Sequence, residues 1–256
     1  MAYIEIGFFA DSLGLTVQCG VILPEAKRQE GTRYPTLWLL HGAGDDHTAW
    51  TRRTAIERYV RNTNLAVVMP SAQRSTYANM VYGGHYYDYI ADELPRKMRM
   101  FFPLSDRRED NFIAGLSMGG AGAMKIGLAN PERYAAIGCL SAGADNFGAG
   151  RVLSPEWQKR LVMIRGERGE TGPEEDVYAN ARRIVEQGLP APRIFHVIGT
   201  EDFLLPQAHE ARDFFRSLPG DPFDYTYAEY PGAHTWAFWD EHIRGFLNFI
   251  GAGRPE

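Results

Sequence analysis

Several things are scarce in this sequence, and each shortage excludes a class of function. Cysteine occurs only twice in 256 residues. Cys19 and Cys139 are too few and too far apart for a disulfide framework or a Cys-x-x-Cys metal site, so two buried free thiols are expected. Basic residues are outnumbered, 27 against 32 acidic, giving a net charge of -5. The arginine pairs at 52–53, 107–108 and 182–183 are dispersed among acids. Phosphate binding needs clustered cations, so no nucleic-acid partner is expected. No apolar run approaches the ~18 residues that span a bilayer, which argues against a membrane partner. Met1–Ala10 has no basic stretch and carries Glu5, so no signal peptide is read and a cytoplasmic location is expected. Repeats, low-complexity tracts and Pro/Gly/Ser linkers are also missing.

Apolar material is plentiful, with hydrophobic residues at 45% and charged residues at 23%, enough for a substantial core. Its pattern alternates short apolar runs with longer amphipathic ones, which predicts an α/β fold with a mostly parallel central sheet and helices on both faces. Residues 4–10 and 15–23 read as an opening antiparallel pair. The runs at 36–40, 65–69, 111–115, 136–140 and 194–198 read as central strands buried on both faces. The run 223–230 reads as a last strand nearer an edge. Helices are predicted at about 47–61, 86–102, 118–130, 174–188, 206–217 and 235–250, with Pro95 either kinking the second or restarting it. The segments 71–87 and 142–173 follow neither period and are read as loops covering a substrate. Strands and helices interleave to the end, which favours one domain over 1–256.

The most informative segment is Asn111-Phe-Ile-Ala-Gly-Leu-Ser117-Met-Gly-Gly-Ala-Gly, a strand, then Gly-x-Ser-x-Gly, then a helix rich in small residues. A serine on so sharp a turn sits in a strained backbone conformation, and the flanking glycines leave room for it. A hydroxyl is a poor nucleophile at neutral pH, so this reading requires a base and a group to orient it, in the order Ser, Asp/Glu, His. The strand 194–198 ends in Gly199-Thr-Glu-Asp202-Phe203, which puts an acid at a strand's C-terminal end. Asp202 is preferred there, with Glu201 as its competitor. His234 follows the last strand in Tyr-Pro-Gly-Ala-His-Thr-Trp236. Leu37-Trp-Leu-Leu-His41-Gly42-Ala43-Gly44 is a strand running into a His-Gly loop. In such an architecture this loop supplies one oxyanion N–H, assigned to Ala43, and Met118 supplies the other. His41 and Gly42, with Phe147, Phe203 and Trp236, are candidate substrate-binding residues.

Other chemistry finds less support. His196 reads as a core side chain, His209 and His242 as helix residues in polar surroundings, and His85 as a pocket or surface residue. His41, His47, Asp45 and Asp46 crowd one turn without a second ligand cluster, so no metal is expected. Gly115 and Gly120 have Ala121 where a phosphate-binding loop needs Lys. No cofactor is called for.

The chain resembles the tributyrin-esterase branch of an esterase family of α/β-hydrolases, related to S-formylglutathione hydrolase (esterase D) and to the secreted mycolyltransferases. The resemblance is carried by His41-Gly42, Tyr-Tyr-Asp-Tyr-Ile-Ala-Asp-Glu-Leu-Pro over 86–95, Arg-Glu-Asp-Asn-Phe-Ile-Ala-Gly-Leu-Ser-Met-Gly-Gly over 108–120, Gly-Thr-Glu-Asp-Phe-Leu over 199–204, His234-Thr-Trp236 and Phe238-Trp-Asp240. It implies Ser117 as nucleophile, Asp202 as orienting acid and His234 as base. The activity it implies is hydrolysis of short-chain, acetyl-like carboxylic esters through an acyl-enzyme, with a small-molecule ester as partner and a homo-oligomer left open. Leu-His-Gly-Ala-Gly over 40–44 departs from the oxyanion segment associated with S-formylglutathione hydrolases. That departure counts against a glutathione thioester as substrate; thioester hydrolysis or acyl transfer on the same three residues is the alternative activity.

Overall fold

The computed structural model describes residues 1–25, 31–147, 151–169 and 171–252. Parts of the regions named above, at 26–30, 148–150, 170 and 253–256, lie outside the described residues.

Among the described residues, eight strands form one mixed sheet in the order β1-β2-β4-β3-β5-β6-β7-β8. β1 (Ala2–Ala10) and β2 (Leu15–Leu23) form the antiparallel pair, and β2 joins β4 (Ala66–Pro70) antiparallel. β3 (Thr36–Leu40), β4, β5 (Asn111–Leu116), β6 (Ala136–Leu140), β7 (Arg193–Gly199) and β8 (Thr226–Tyr230) run parallel. β8 is the partly exposed edge strand. This is the mostly parallel α/β sheet that the apolar runs predict.

The central strands read as unbroken apolar runs because both faces are covered. Trp38 and Leu40 of β3 enter one core cluster with Tyr89, Leu94, Ile184 and Phe215. Leu37 and Leu39 enter the other with Trp50, Phe238, Trp239 and Phe246. The first layer is built by α4 (Leu94–Phe101), α5 (Met118–Ala129), α7 (Val177–Glu186) and α8 (Leu205–Ser217), the second by α1 (Ala49–Arg53), α2 (Ile56–Val60) and α9 (Trp236–Phe249).

Three expectations need correction. The helix over 47–61 is two short helices, because side chains take the backbone donors at the break. The Ala55 N–H donates to Asp240 Oδ1 at 2.8 Å and the Ile56 N–H to Thr54 Oγ1 at 3.2 Å. The helix over 86–102 begins as α3 (Tyr86–Asp88) and widens into a π turn over Tyr89–Glu93, where the Leu94 N–H reaches back to the Tyr89 carbonyl. Pro95 then starts α4. Its missing N–H would leave the Ala91 carbonyl without a partner, and Arg133 Nη1 donates to that oxygen at 2.7 Å. Thirdly, 142–173 is not all loop. α6 (Pro155–Arg165) lies within it, capped by the Ser154 hydroxyl, and Ile164 alone of its residues is buried. With no apolar stripe to bury, the helix left no 3.6-residue signal.

Candidate active site

The C-terminal ends of β3, β5, β7 and β8 face one edge of the sheet, and the loops leaving them meet there. In open α/β sheets this is where ligands bind.

β5 runs straight into α5 with Ser117 between them at φ 52° and ψ -118°. A non-glycine residue with such a φ costs on the order of 1–3 kcal/mol and persists only if its surroundings hold it. They do. The Ser117 N–H donates to the Leu140 carbonyl at 2.8 Å, and its carbonyl accepts from the Gly120 N–H at 3.0 Å and from Asn146 Nδ2 at 3.0 Å. Glycine is required on either side of the turn. A Cβ on Gly115 would lie 2.5 Å from the Gly119 carbonyl, and one on Gly119 would lie 2.6 Å from the Leu40 carbonyl oxygen.

The end of β7 and the loop after β8 are laced together. The Thr200 N–H donates to the Tyr230 carbonyl and the Glu201 N–H to Gly232, both at 2.9 Å. That lacing presents Asp202 and His234 to each other. His234 Nδ1 lies 3.0 and 2.8 Å from the two Asp202 carboxylate oxygens, and Nε2 lies 2.9 Å from Ser117 Oγ. An imidazole whose Nδ1–H donates to Asp202 leaves its Nε2 lone pair aimed at the hydroxyl. Asp202 is buried and also accepts from the Leu204 N–H at 2.9 Å, whereas Glu201 is exposed and takes no part.

The loop after β3 passes beside Ser117, since a Cβ on Gly42 would sit 3.7 Å from the Ser117 Cβ and 2.5 Å from Leu116 Cδ1. Neither Ala43 N–H nor Met118 N–H has an acceptor among the described residues, and Gly44 turns the loop at φ 91°. His41 is buried. Its Nδ1 donates to the Gly42 carbonyl at 2.8 Å, while Nε2 accepts from the Ala72 N–H at 2.9 Å. Burial lowers its pKa, which keeps this doubly bonded ring neutral.

A cavity of about 240 Å³ opens over Ser117, walled by Ala43, Met118, Phe147, Phe203 and His234 together with Arg74, Asn146, Arg151, Trp157 and Leu204. Of the other sequence candidates, His41 and Gly42 form the scaffold under its wall. Trp236 packs edge-on to Trp50 and Trp239 instead. His85 is exposed beside Asp88, and His196 is buried with Nδ1 on the Tyr225 hydroxyl and Nε2 on the Ala142 carbonyl. Among the described residues, no group of three or more His, Cys, Asp or Glu side chains is arranged to hold a metal ion, and no helix is long and apolar enough to cross a membrane.

Comparison with known proteins decides the family. A family model described as "Putative esterase" matches residues 10–250. The chain belongs to this esterase family. It is 28% identical over 267 residues to an acetyl esterase of Caldicellulosiruptor saccharolyticus, covering 98% of each chain. It is also similar to two solved structures from Staphylococcus aureus, each 34% identical over 97% of this chain and 98% of the other. One is FphF, a fluorophosphonate-binding serine hydrolase with substrate bound, at a TM-score of 0.85. The other is an S-formylglutathione hydrolase, FrmB, as apoenzyme, at 0.83.

Sequence reasoning missed several residues of the cavity over Ser117. Asn146 is buried, bonds the Ser117 carbonyl and accepts from the Gly143 N–H at 2.8 Å. Arg74 pairs with Glu156 and lies 4.6 Å over the Trp157 ring, which ties α6 to the cavity rim. Arg151 lies 5.1 Å over the Phe203 ring, and Phe203 is tilted against the His234 ring with centroids 4.4 Å apart. All come from segments without a period, so no pattern marked them. Behind Met118, Asn146 and Phe147 lies a larger cavity of about 470 Å³. Its wall includes Lys125, whose ammonium donates to the Thr76 carbonyl and to Glu175, both at 3.0 Å. Burial lowers the Lys125 pKa, and Glu175 opposes that shift.

Proposed function

We propose that this chain is a serine carboxylic-ester hydrolase acting on short acyl esters through an acyl-enzyme. The observation that carries the proposal is the unbroken chain of hydrogen bonds from Asp202 through His234 to Ser117 Oγ, in a cavity at the strand ends. Ser117 Oγ attacks the ester carbonyl while His234 Nε2 takes its proton, and Asp202 steadies the imidazolium. The N–H groups of Met118 and Ala43 receive the oxyanion, each worth about 2.7–4 kcal/mol to the transition state. His234 then returns the proton to the departing alcohol, and water, activated by the same imidazole, releases the acid. No step calls for a cofactor. The small cavity and the acetyl esterase similarity favour a short acyl group.

The whole chain is read as one α/β-hydrolase domain. Segments 71–87 and 142–173 cover its site, supported by the placing of Arg74, Asn146, Phe147, Arg151 and Trp157 in the cavity wall. The buried, unpaired thiols of Cys19 and Cys139 favour a reducing, cytoplasmic setting. Thioester hydrolysis is the second reading, favoured by the 34% identity to the S-formylglutathione hydrolase.

The test is a panel of p-nitrophenyl esters and matched thioesters of two to eight acyl carbons, run with the native chain and Ser117→Ala. The substitution is expected to lower kcat/KM by roughly 10⁴-fold or more with the circular dichroism spectrum unchanged. A folded variant that keeps a tenth of the native rate would end this mechanism.

A further inference from the structure

On one side of the serine cavity stands a guanidinium without an ion pair among the described residues, and that side can be assigned. In acyl transfer the departing oxygen must receive its proton from His234 Nε2, so the leaving alcohol lies against the neighbours of His234. Among those neighbours are Phe203, tilted against the imidazole with ring centroids 4.4 Å apart, and Arg151, 5.1 Å over the Phe203 ring. The acyl substituent takes the remaining wall of Met118, Phe147, Trp157 and Arg74, beyond which the larger cavity begins.

The two guanidinium groups on this cavity differ in their pairing. Arg74 is held by Glu156. Arg151 donates to the Asn146 carbonyl and stacks on Phe147 and Phe203, and it has no carboxylate within ion-pair distance among the described residues. Asp202 and Asp145 are the acids whose charges reach Arg151, but the oxygens of Asp202 are committed to His234 and to the Leu204 N–H, and Asp145 accepts from the Phe147 N–H and faces Arg165. Among the described residues, no carboxylate side chain lines the serine cavity. The larger cavity is the opposite: Asp145, Glu175, Asp176 and Glu210 outnumber Lys125 and Arg165 in its wall. The Phe147 and Phe203 rings, 5.7 and 5.1 Å from the Arg151 guanidinium carbon, hold it at the cavity, where its N–H groups can meet a planar or tetrahedral anion.

We infer that Arg151 is a specificity-determining residue which selects esters whose leaving alcohol carries an anionic group, a carboxylate or a phosphate. The inference rests on the hydrolase reading above, because the assignment of sides follows from the role of His234. An anion on the acyl side gains nothing from Arg151 and meets the acid-rich cavity beyond Met118.

Matched substrates separate the two sides. 4-Acetoxybenzoate and 4-acetoxybenzamide share an acetyl group and differ in the charge of the leaving phenol. Phenyl hemisuccinate and phenyl butyrate share the phenol and differ in acyl charge. 4-Acetoxyphenyl phosphate distinguishes a phosphate preference from a carboxylate preference. In Arg151→Gln the ratio of kcat/KM for the benzoate over the benzamide is expected to fall at least about fivefold, through KM, while the acyl-side ratio holds. Arg151→Glu should move the preference towards 4-acetoxybenzylammonium, and added salt should weaken the native preference. An unchanged leaving-group ratio in a folded variant overturns the inference. So does an equal fall in both ratios, which would mark a general field effect. If the native chain hydrolyses charged and neutral acetates equally well, only the role of Arg151 is lost. Failure to hydrolyse any of the esters would overturn the hydrolase reading and this inference with it.

Discussion

At the scale of single residues, strain collects near Ser117. Gln73, Thr76, Tyr77, Ser117 and Ser141 all have positive φ without being glycine. Several of them hold the site together: Tyr77 donates its hydroxyl to the His41 carbonyl at 2.9 Å, and the Ser141 N–H bonds the Val197 carbonyl at 2.8 Å. Thr76, Tyr77, Ser117 and Ser141 are each tied to another part of the chain by such bonds, so the geometry of Ser117 depends on packing more than on its own preference. The neighbouring acids Glu201 and Asp202 allow a sharp comparison. Asp202 fixes which nitrogen of His234 holds the proton, whereas Glu201 points to solvent. An amide at 202 can donate to Nδ1 and turn the imidazole to the wrong tautomer. Asp202→Asn should therefore lower kcat by about 10³- to 10⁴-fold, while Glu201→Gln stays within about twofold of the native rate. Steady-state rates on one ester settle this, and a larger loss at 201 than at 202 would exchange their roles.

At the scale of elements, α5 is a helix its own composition disfavours. Gly119, Gly120, Gly122 and Gly127 fall within its twelve residues, at about 1 kcal/mol each relative to alanine. Close packing supplies the reason, and it differs along the helix. A Cβ at 119 would strike the backbone oxygens of Leu40 and His41, at 2.6 and 2.7 Å, whereas one at 127 would meet the Ile137 side chain. A side chain can turn aside and a strand's backbone cannot. Gly119→Ala should thus be less stable than Gly127→Ala by at least about 2 kcal/mol in urea denaturation; equal midpoints would mean that the helix shifts to make room. The same contrast explains what the sequence revealed. Central strands were legible because both faces are buried, and the hydrogen-bonded set of Ser117, Asp202 and His234 because each follows a strand in the chain order the proposed mechanism needs. α6 left no pattern because it buries only Ile164. The break between α1 and α2 depends on Asp240, a residue 185 positions from Ala55, and no local window contains that bond. Asn146 and Arg151 were invisible for a related reason: their roles come from where an aperiodic segment folds back over Ser117 and Phe203.

At the scale of the whole molecule, two buried groups bonded to distant parts of the chain make stability depend on pH in the same direction. His196 of β7 bonds Tyr225, just before β8, and the Ala142 carbonyl, just past β6. Burial drives its pKa down to about 4 from an ordinary 6.5. As pH falls through 6.5 the unfolded chain binds a proton that the folded chain refuses until about pH 4, so stability present above 6.5 is lost across that window, by roughly 3 kcal/mol at its foot. Glu93 of the π turn accepts from the backbone N–H groups of Asp11 and Ser12, from the Ser12 hydroxyl and from Lys97, pinning the β1–β2 turn to the helical layer. Burial opposes its ionisation, but these donors outweigh it and hold its pKa at about 2 against an ordinary 4.5. Here too the unfolded chain protonates first, and the stability present above pH 4.5 is lost as pH falls towards 2. Both windows slope the same way, so the urea midpoint should fall continuously from pH 7 downward. A His196→Gln variant, which carries no titrating ring, should start lower at pH 7, because it gives up the fit of the imidazole between Tyr225 and Ala142. It should then lose less than the native chain between pH 6.5 and 4. Parallel curves for the two proteins over that interval would show that His196 is not the group whose proton the folded chain refuses.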